Sequence, residues 1–170
     1  WLVGGGGGSA PPASTDDVVI ANVTNDPVLD APDTINSLTI QSGGSYNGNN
    51  HTLTIFGEAD GTDATTTNYA VNLEAGCIII GTNSDLKIET QATTLIDLNP
   101  GTGALRSVTI NHASAVVQLT TGFAITGTLD VNNGRLDTVG AGNITCKNLE
   151  VHKTTATAIF DYADNIITCE

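Results

Sequence analysis

Leu86-Lys87-Ile88, Val108-Thr109-Ile110, Leu129-Asp130-Val131 and Leu149-Glu150-Val151 are four versions of one apolar-polar-apolar unit. Successive units start 22, 21 and 20 residues apart. A fixed period in that range marks a repeat architecture with one strand-bearing coil per repeat. Side chains alternate across a strand, so the outer two residues of each unit face a core and the middle one faces out. Stacking the units places Leu86, Val108, Leu129 and Leu149 in one inner row and Ile88, Ile110, Val131 and Val151 in another. Lys87, Thr109, Asp130 and Glu150 then form an outward ladder, and Asp130 over Glu150 is a like-charge pair where a cation could sit.

A second set of units supports this register. Val71-Asn72-Leu73, Ile96-Asp97-Leu98 and Val117-Gln118-Leu119 repeat the alternation, and Gly76, Gly101 and Gly122 each follow the last Leu by three residues. Glycine at that place fits a tight corner with positive φ. Third strands fit at residues 78–80, 104–105, 124–125, 144–145 and 166–168. Three short strands per coil with glycine corners describe a parallel β-helix of roughly six or seven coils. The rival is a two-sheet sandwich, which short alternating strands also suggest. Helices fit badly, because no 3-4-7 apolar pattern persists and β-branched residues dominate.

Toward the N-terminus, Asp16-Asp17 leads into a strand at Val18-Val19-Ile20. Ser37-Leu38-Thr39-Ile40 and Thr52-Leu53-Thr54-Ile55 follow as related units. The step from Leu53 to Leu86 exceeds one coil, and the excess falls in residues 57–68, read as an extruded loop. Residues 1–15 carry five consecutive glycines and Pro11-Pro12, and read as a flexible arm. Residues 16–170 are then the solenoid domain.

Composition bounds the function. Aromatic residues make up 4% of the chain, so the core must be Val, Ile, Leu and Ala. The net charge is −13 with five basic residues, which leaves no Lys/Arg cluster for nucleic acid or for an anionic membrane surface. No apolar run reaches the length of a membrane span. The chain contains no Met, which implies processing or excision from something longer. With the acidic, Thr/Asn-rich composition, this points to an extracellular, cell-surface or virion setting.

Three cysteines are present. Cys146 and Cys169 end two related segments, Asn143-Ile144-Thr145-Cys146 and Ile166-Ile167-Thr168-Cys169. Either they stack as small hydrophobes or they form a disulfide. Cys77 opens an apolar run and reads as core. No Cys-x-x-Cys, Gly-x-Ser-x-Gly or His-Glu-x-x-His occurs. His51, His112 and His152 occupy different repeat positions, which argues against a designed histidine cluster. Glu58, Asp60 and Asp63 gather hard oxygen ligands around Gly61 and are the candidate calcium ligands; no cofactor is required.

The Asp16-Asp17-Val18-Val19-Ile20 strand, Ser37-Leu38-Thr39-Ile40, Ser42-Gly43-Gly44 and Thr52-Leu53-Thr54-Ile55, behind the lead Trp1-Leu2-Val3-Gly4-Gly5, resemble a diffuse class. It is the right-handed parallel β-helix repeats of secreted bacterial adhesin-like proteins and phage structural proteins. The resemblance implies that fold and a setting outside the cytoplasm, and carries over no catalytic residue. The expected role is non-enzymatic: a structural or adhesive module that packs on copies of itself or on a larger surface or virion assembly. Trp1, Leu2, Ile166 and Ile167 are the expected contact residues, and glycans are further candidate partners. The alternative is a carbohydrate-active β-helix, with Asp130 and Glu150, or Asp97 and a neighbour, as paired acids.

Overall fold

The computed structural model describes residues 11–24, 27–57, 69–81, 83–90, 93–138, 142–152, 158–161 and 167–169. Every regular element among them is a β-strand, and none is a helix long and apolar enough to cross a membrane. The first are β1 (Asp17–Ile20), β2 (Asp33–Ile35), β3 (Ser37–Ile40) and β4 (Ser45–Tyr46). The middle holds β5 (Thr52–Ile55), β6 (Tyr69–Leu73), β7 (Ile78–Ile79), β8 (Asp85–Ile88) and β9 (Thr93–Asp97). The last are β10 (Ser107–Leu119), β11 (Phe123–Ala124), β12 (Thr128–Asp137), β13 (Ile144–Cys146), β14 (Asn148–Val151), β15 (Ala158–Asp161) and β16 (Ile167–Cys169).

All of the strand pairings are parallel, and they sort into three faces. The first face stacks β2, β5, β8, the start of β10, the start of β12, and β14. The second stacks β1, β3, β6, β9, the ends of β10 and β12, and β15. The third carries β4 on β7 and, further along, β11 on β13 on β16. The chain is thus a parallel β-solenoid of about five turns among the described residues, against the six or seven coils expected. A sandwich would need antiparallel neighbours, and none occurs among the described strands.

The inner rows hold as the repeats require. Leu53 pairs with Leu86, Leu86 with Val108, Val108 with Leu129 and Leu129 with Leu149. Leu53, Leu86, Val108 and Leu129 are buried, as are Ile55, Ile88, Ile110 and Val131 in the companion row. Each such side chain contributes about 1.5–3 kcal/mol over its exposed state. The rows open at their end: Leu149 is only partly buried, and Val151, expected inside, is 48% exposed. No strand follows β14 on that face among the described residues.

Three expectations change in detail. In two turns the first and second faces are one strand: β10 and β12 run on round the corner, with register shifts at Ile110/Asn111 and Asn111/Val116. On the second face Leu119 pairs with Ile96 and Val117 with Thr94, two residues from the alignment of Val117 with Ile96. Of the three glycines, only Gly76 has positive φ, at 94°. Gly101 is required by space instead, since a Cβ there would lie 2.4 Å from the Gly76 Cα. Gly122 faces the Asn143 carbonyl in the same way, at 2.4 Å.

Ser37–Ile40 and Thr52–Ile55 have similar wording but do not stack. They lie on different faces, β3 over Val71 and β5 over Leu86. Residues 58–68, most of the expected extruded loop, fall between β5 and β6 and lie outside the described residues, as do residues 1–10 of the expected arm.

Candidate functional site

Parallel in-register stacking brings chemically active side chains together across turns. Asp130 of β12 pairs with Glu150 of β14, so their side chains leave the first face as neighbours. Two residues on, His152 emerges on the same side as Glu150. Its amide donates to the Val131 carbonyl at 3.0 Å and so extends the ladder past the strand end. The imidazole Nε2 lies 3.0 Å from Glu150 Oε2 and 3.7 Å from Asp130 Oδ1. One ligand atom from each residue lies within 4.8 Å of the other two, and no other such group of three occurs among the described residues.

The three differ in environment. Glu150 and His152 are about half exposed, whereas the Asp130 side chain is 22% exposed. Asp130 Oδ1 is shielded from solvent and accepts no hydrogen bond from the described residues. Burial pushes the Asp130 carboxyl up, the His152 charge pulls it down and Glu150 pushes it up again, leaving it above its ordinary value. Two carboxylates and an imidazole can do one of two things here. A protonated His152 can clamp both acids, or a divalent cation can take one nitrogen and two oxygen donors. The second would suit a borderline metal such as Zn²⁺ better than calcium, because of the imidazole.

Further along this face the charges are internally matched. Arg106 holds both carboxylate oxygens of Asp85, through Nε at 2.9 Å and through its terminal nitrogen. Lys87 of β8 pairs with Glu89, just past the end of that strand. Asn132 donates to Asn111 at 2.8 Å and Asn111 to Glu89 at 3.0 Å, a side-chain ladder spanning three turns. Burial alone would raise the Glu89 carboxyl; the hydrogen bonds from Lys87 and Asn111 outweigh it and hold Glu89 below its usual range. On the second face, Asp97 accepts from Thr121 at 2.6 Å and from the Asn99 amide at 3.0 Å. Its strand neighbour is Asn72, not an acid, so the ladder pairs Asp97 with no second acid among the described residues.

No family model, curated protein or solved structure matches this chain. The site therefore rests on its own geometry.

Of the residues expected from sequence to carry contacts or metal, Trp1, Leu2, Glu58, Asp60, Asp63 and Ile166 lie outside the described residues. Ile167 is described: it pairs with Ile144 and packs, partly buried, against the core. Asp130 and Glu150 do meet, as the ladder required. His152 was the residue that sequence reasoning passed over. Comparing the three histidines for a common repeat position discarded it, although two residues beyond an outward acid on a strand is the same side by alternation. His112 and His51 do not join it, and the His112 Nδ1 accepts from the Ser114 amide at 3.2 Å.

Proposed function

We propose that this chain is a non-enzymatic structural or adhesive module of an extracellular surface or virion assembly, wound as a right-handed solenoid. It packs on copies of itself or on a larger assembly through its terminal turns. The observation that carries the reading is the open end of the core. Val151 stands in the same inner row as the fully buried Val131, yet is 48% exposed. At the opposite end β1 and β2 are the edge strands, and Val19, Val23 and Val28 are 40–48% exposed nearby. Uncovered strand edges and apolar rows invite a further β-strand or a neighbouring end.

Sedimentation velocity over a rising concentration series tests this. Self-association is expected, and Val151→Arg should weaken it at least tenfold without altering the β-type circular dichroism. A monodisperse monomer at all concentrations, with no binding to glycans or surfaces, would overturn the reading. The second reading, a carbohydrate-active β-helix, is favoured by one feature, the stacked acids Asp130 and Glu150. Depolymerisation of an extracellular polysaccharide that is lost in Asp130→Asn would put it first.

A further inference from the structure

The third face ends in two cysteines. Strand β16 lies in register on β13, pairing Ile144 with Ile167, Thr145 with Thr168 and Cys146 with Cys169. The two sulfurs are 3.7 Å apart. Ladder neighbours in a parallel sheet lie about 4.8 Å apart, inside the roughly 4.4–6.8 Å between Cα atoms that a disulfide spans. Closing the sulfurs to bonding distance therefore needs side-chain rotation and no slip of the strands.

We propose that Cys146 and Cys169 are a redox staple that locks the last turn of the solenoid onto the turn before it. The two thiols are unlike in access. Cys146 is buried and Cys169 exposed. An oxidant of the small-molecule disulfide class can reach only Cys169. The Cys169 thiolate attacks one sulfur of that disulfide, giving a mixed disulfide and releasing one small thiol. The Cys146 sulfur then attacks Cys169 Sγ, forming the internal bond and expelling the second small thiol. Both cysteines each lose a proton and together supply two electrons; the small disulfide takes up both and leaves as two thiols. Burial, then the neighbouring Cys169 sulfur, push the Cys146 thiol up to about 11, so it is the slower partner until the mixed disulfide sits beside it. The third cysteine, Cys77, is buried in the core on an earlier turn and does not compete.

The staple falls where the described core is loosely packed. Leu149 and Ile167 are only partly buried and Val151 is exposed, whereas the same rows one turn earlier are sealed. The bond would close a loop of 23 residues around that turn.

The full chain incubated with glutathione disulfide tests this. The expected result is a mass loss of two hydrogens, a fall in titratable thiols after denaturation from three to one, and a peptide joining Cys146 to Cys169. Tm should rise by about 5–10 °C and return on reduction. Cys146→Ser should instead stop at the mixed disulfide on Cys169, and Cys77→Ser should staple normally. Three persisting thiols, a lasting mixed disulfide on wild-type Cys169, or a disulfide-linked dimer would each overturn the proposal.

Discussion

Leu129 and Asp130 are adjacent in the chain and belong to different environments, one fully buried and the other half out of water beside two further titratable groups. Leu129→Ala should cost about 2–5 kcal/mol in urea denaturation, because the rows above and below cannot collapse into the gap without breaking register. Asp130→Asn should behave oppositely. Burial, opposed by the His152 charge and reinforced by Glu150, sets its folded pKa above the ordinary 3.8. A carboxyl with a raised folded pKa favours the fold while protonated; that contribution is complete below the unfolded value and is lost as pH rises through the folded one. The asparagine variant cannot ionise, so its stability relative to wild type should improve between pH 3.5 and pH 7. An equal loss at both pH values would show that the Asp130 oxygens are held by a partner, which the shielded Oδ1 does not show among the described residues.

Strands and corners are where the repeat is most exact and least forgiving. Gly101→Ala would drive a methyl group to 2.4 Å from the Gly76 main chain, so two turns would have to separate. At Gly81 an added Cβ meets nothing within 4 Å, and only the positive φ of 74° resists it. Thermal melts should therefore show Gly101→Ala losing clearly more stability than Gly81→Ala, for which about 1–2 kcal/mol is expected. Alternation made the inner rows of the first face readable, because Leu53, Leu86, Val108, Leu129 and Leu149 keep phase through every turn. On the second face Val71 aligns with Ile96 as expected, but the step from β9 to β10 differs by two residues, because a slip of two leaves inside and outside unchanged and the pattern cannot register it. The corners differ in length: from Ile88 to Ile96 is eight residues, and from Ile110 to Leu119, which stack on them, nine. Two of the three residues of the cation-capable cluster were readable, as the Asp130–Glu150 pair. His152 was not, since it sits beyond the strand end and outside the repeated unit.

The whole molecule carries 18 acidic and five basic residues, and the cations described on the first face, Lys87 and Arg106, are already committed to Glu89 and Asp85. The remaining acids repel one another over the surface. Raising salt from about 0.01 M to 1 M shortens the Debye length from about 30 Å to about 3 Å, so Tm should climb by several degrees. A fall would show that the screened pairs outweigh the net repulsion. The same parallel stacking has a mechanical side. Among the described residues, strand pairing joins each turn to its neighbours, along ladders that run the length of the coil. Tension applied across the two ends of the axis is carried by the seams between successive turns, so the coil yields as a spool does, by paying out one turn after another. A turn of about 20 residues releases roughly 70 Å of slack at about 3.5 Å per residue, and the turns still wound keep their hydrogen bonds while the end unreels.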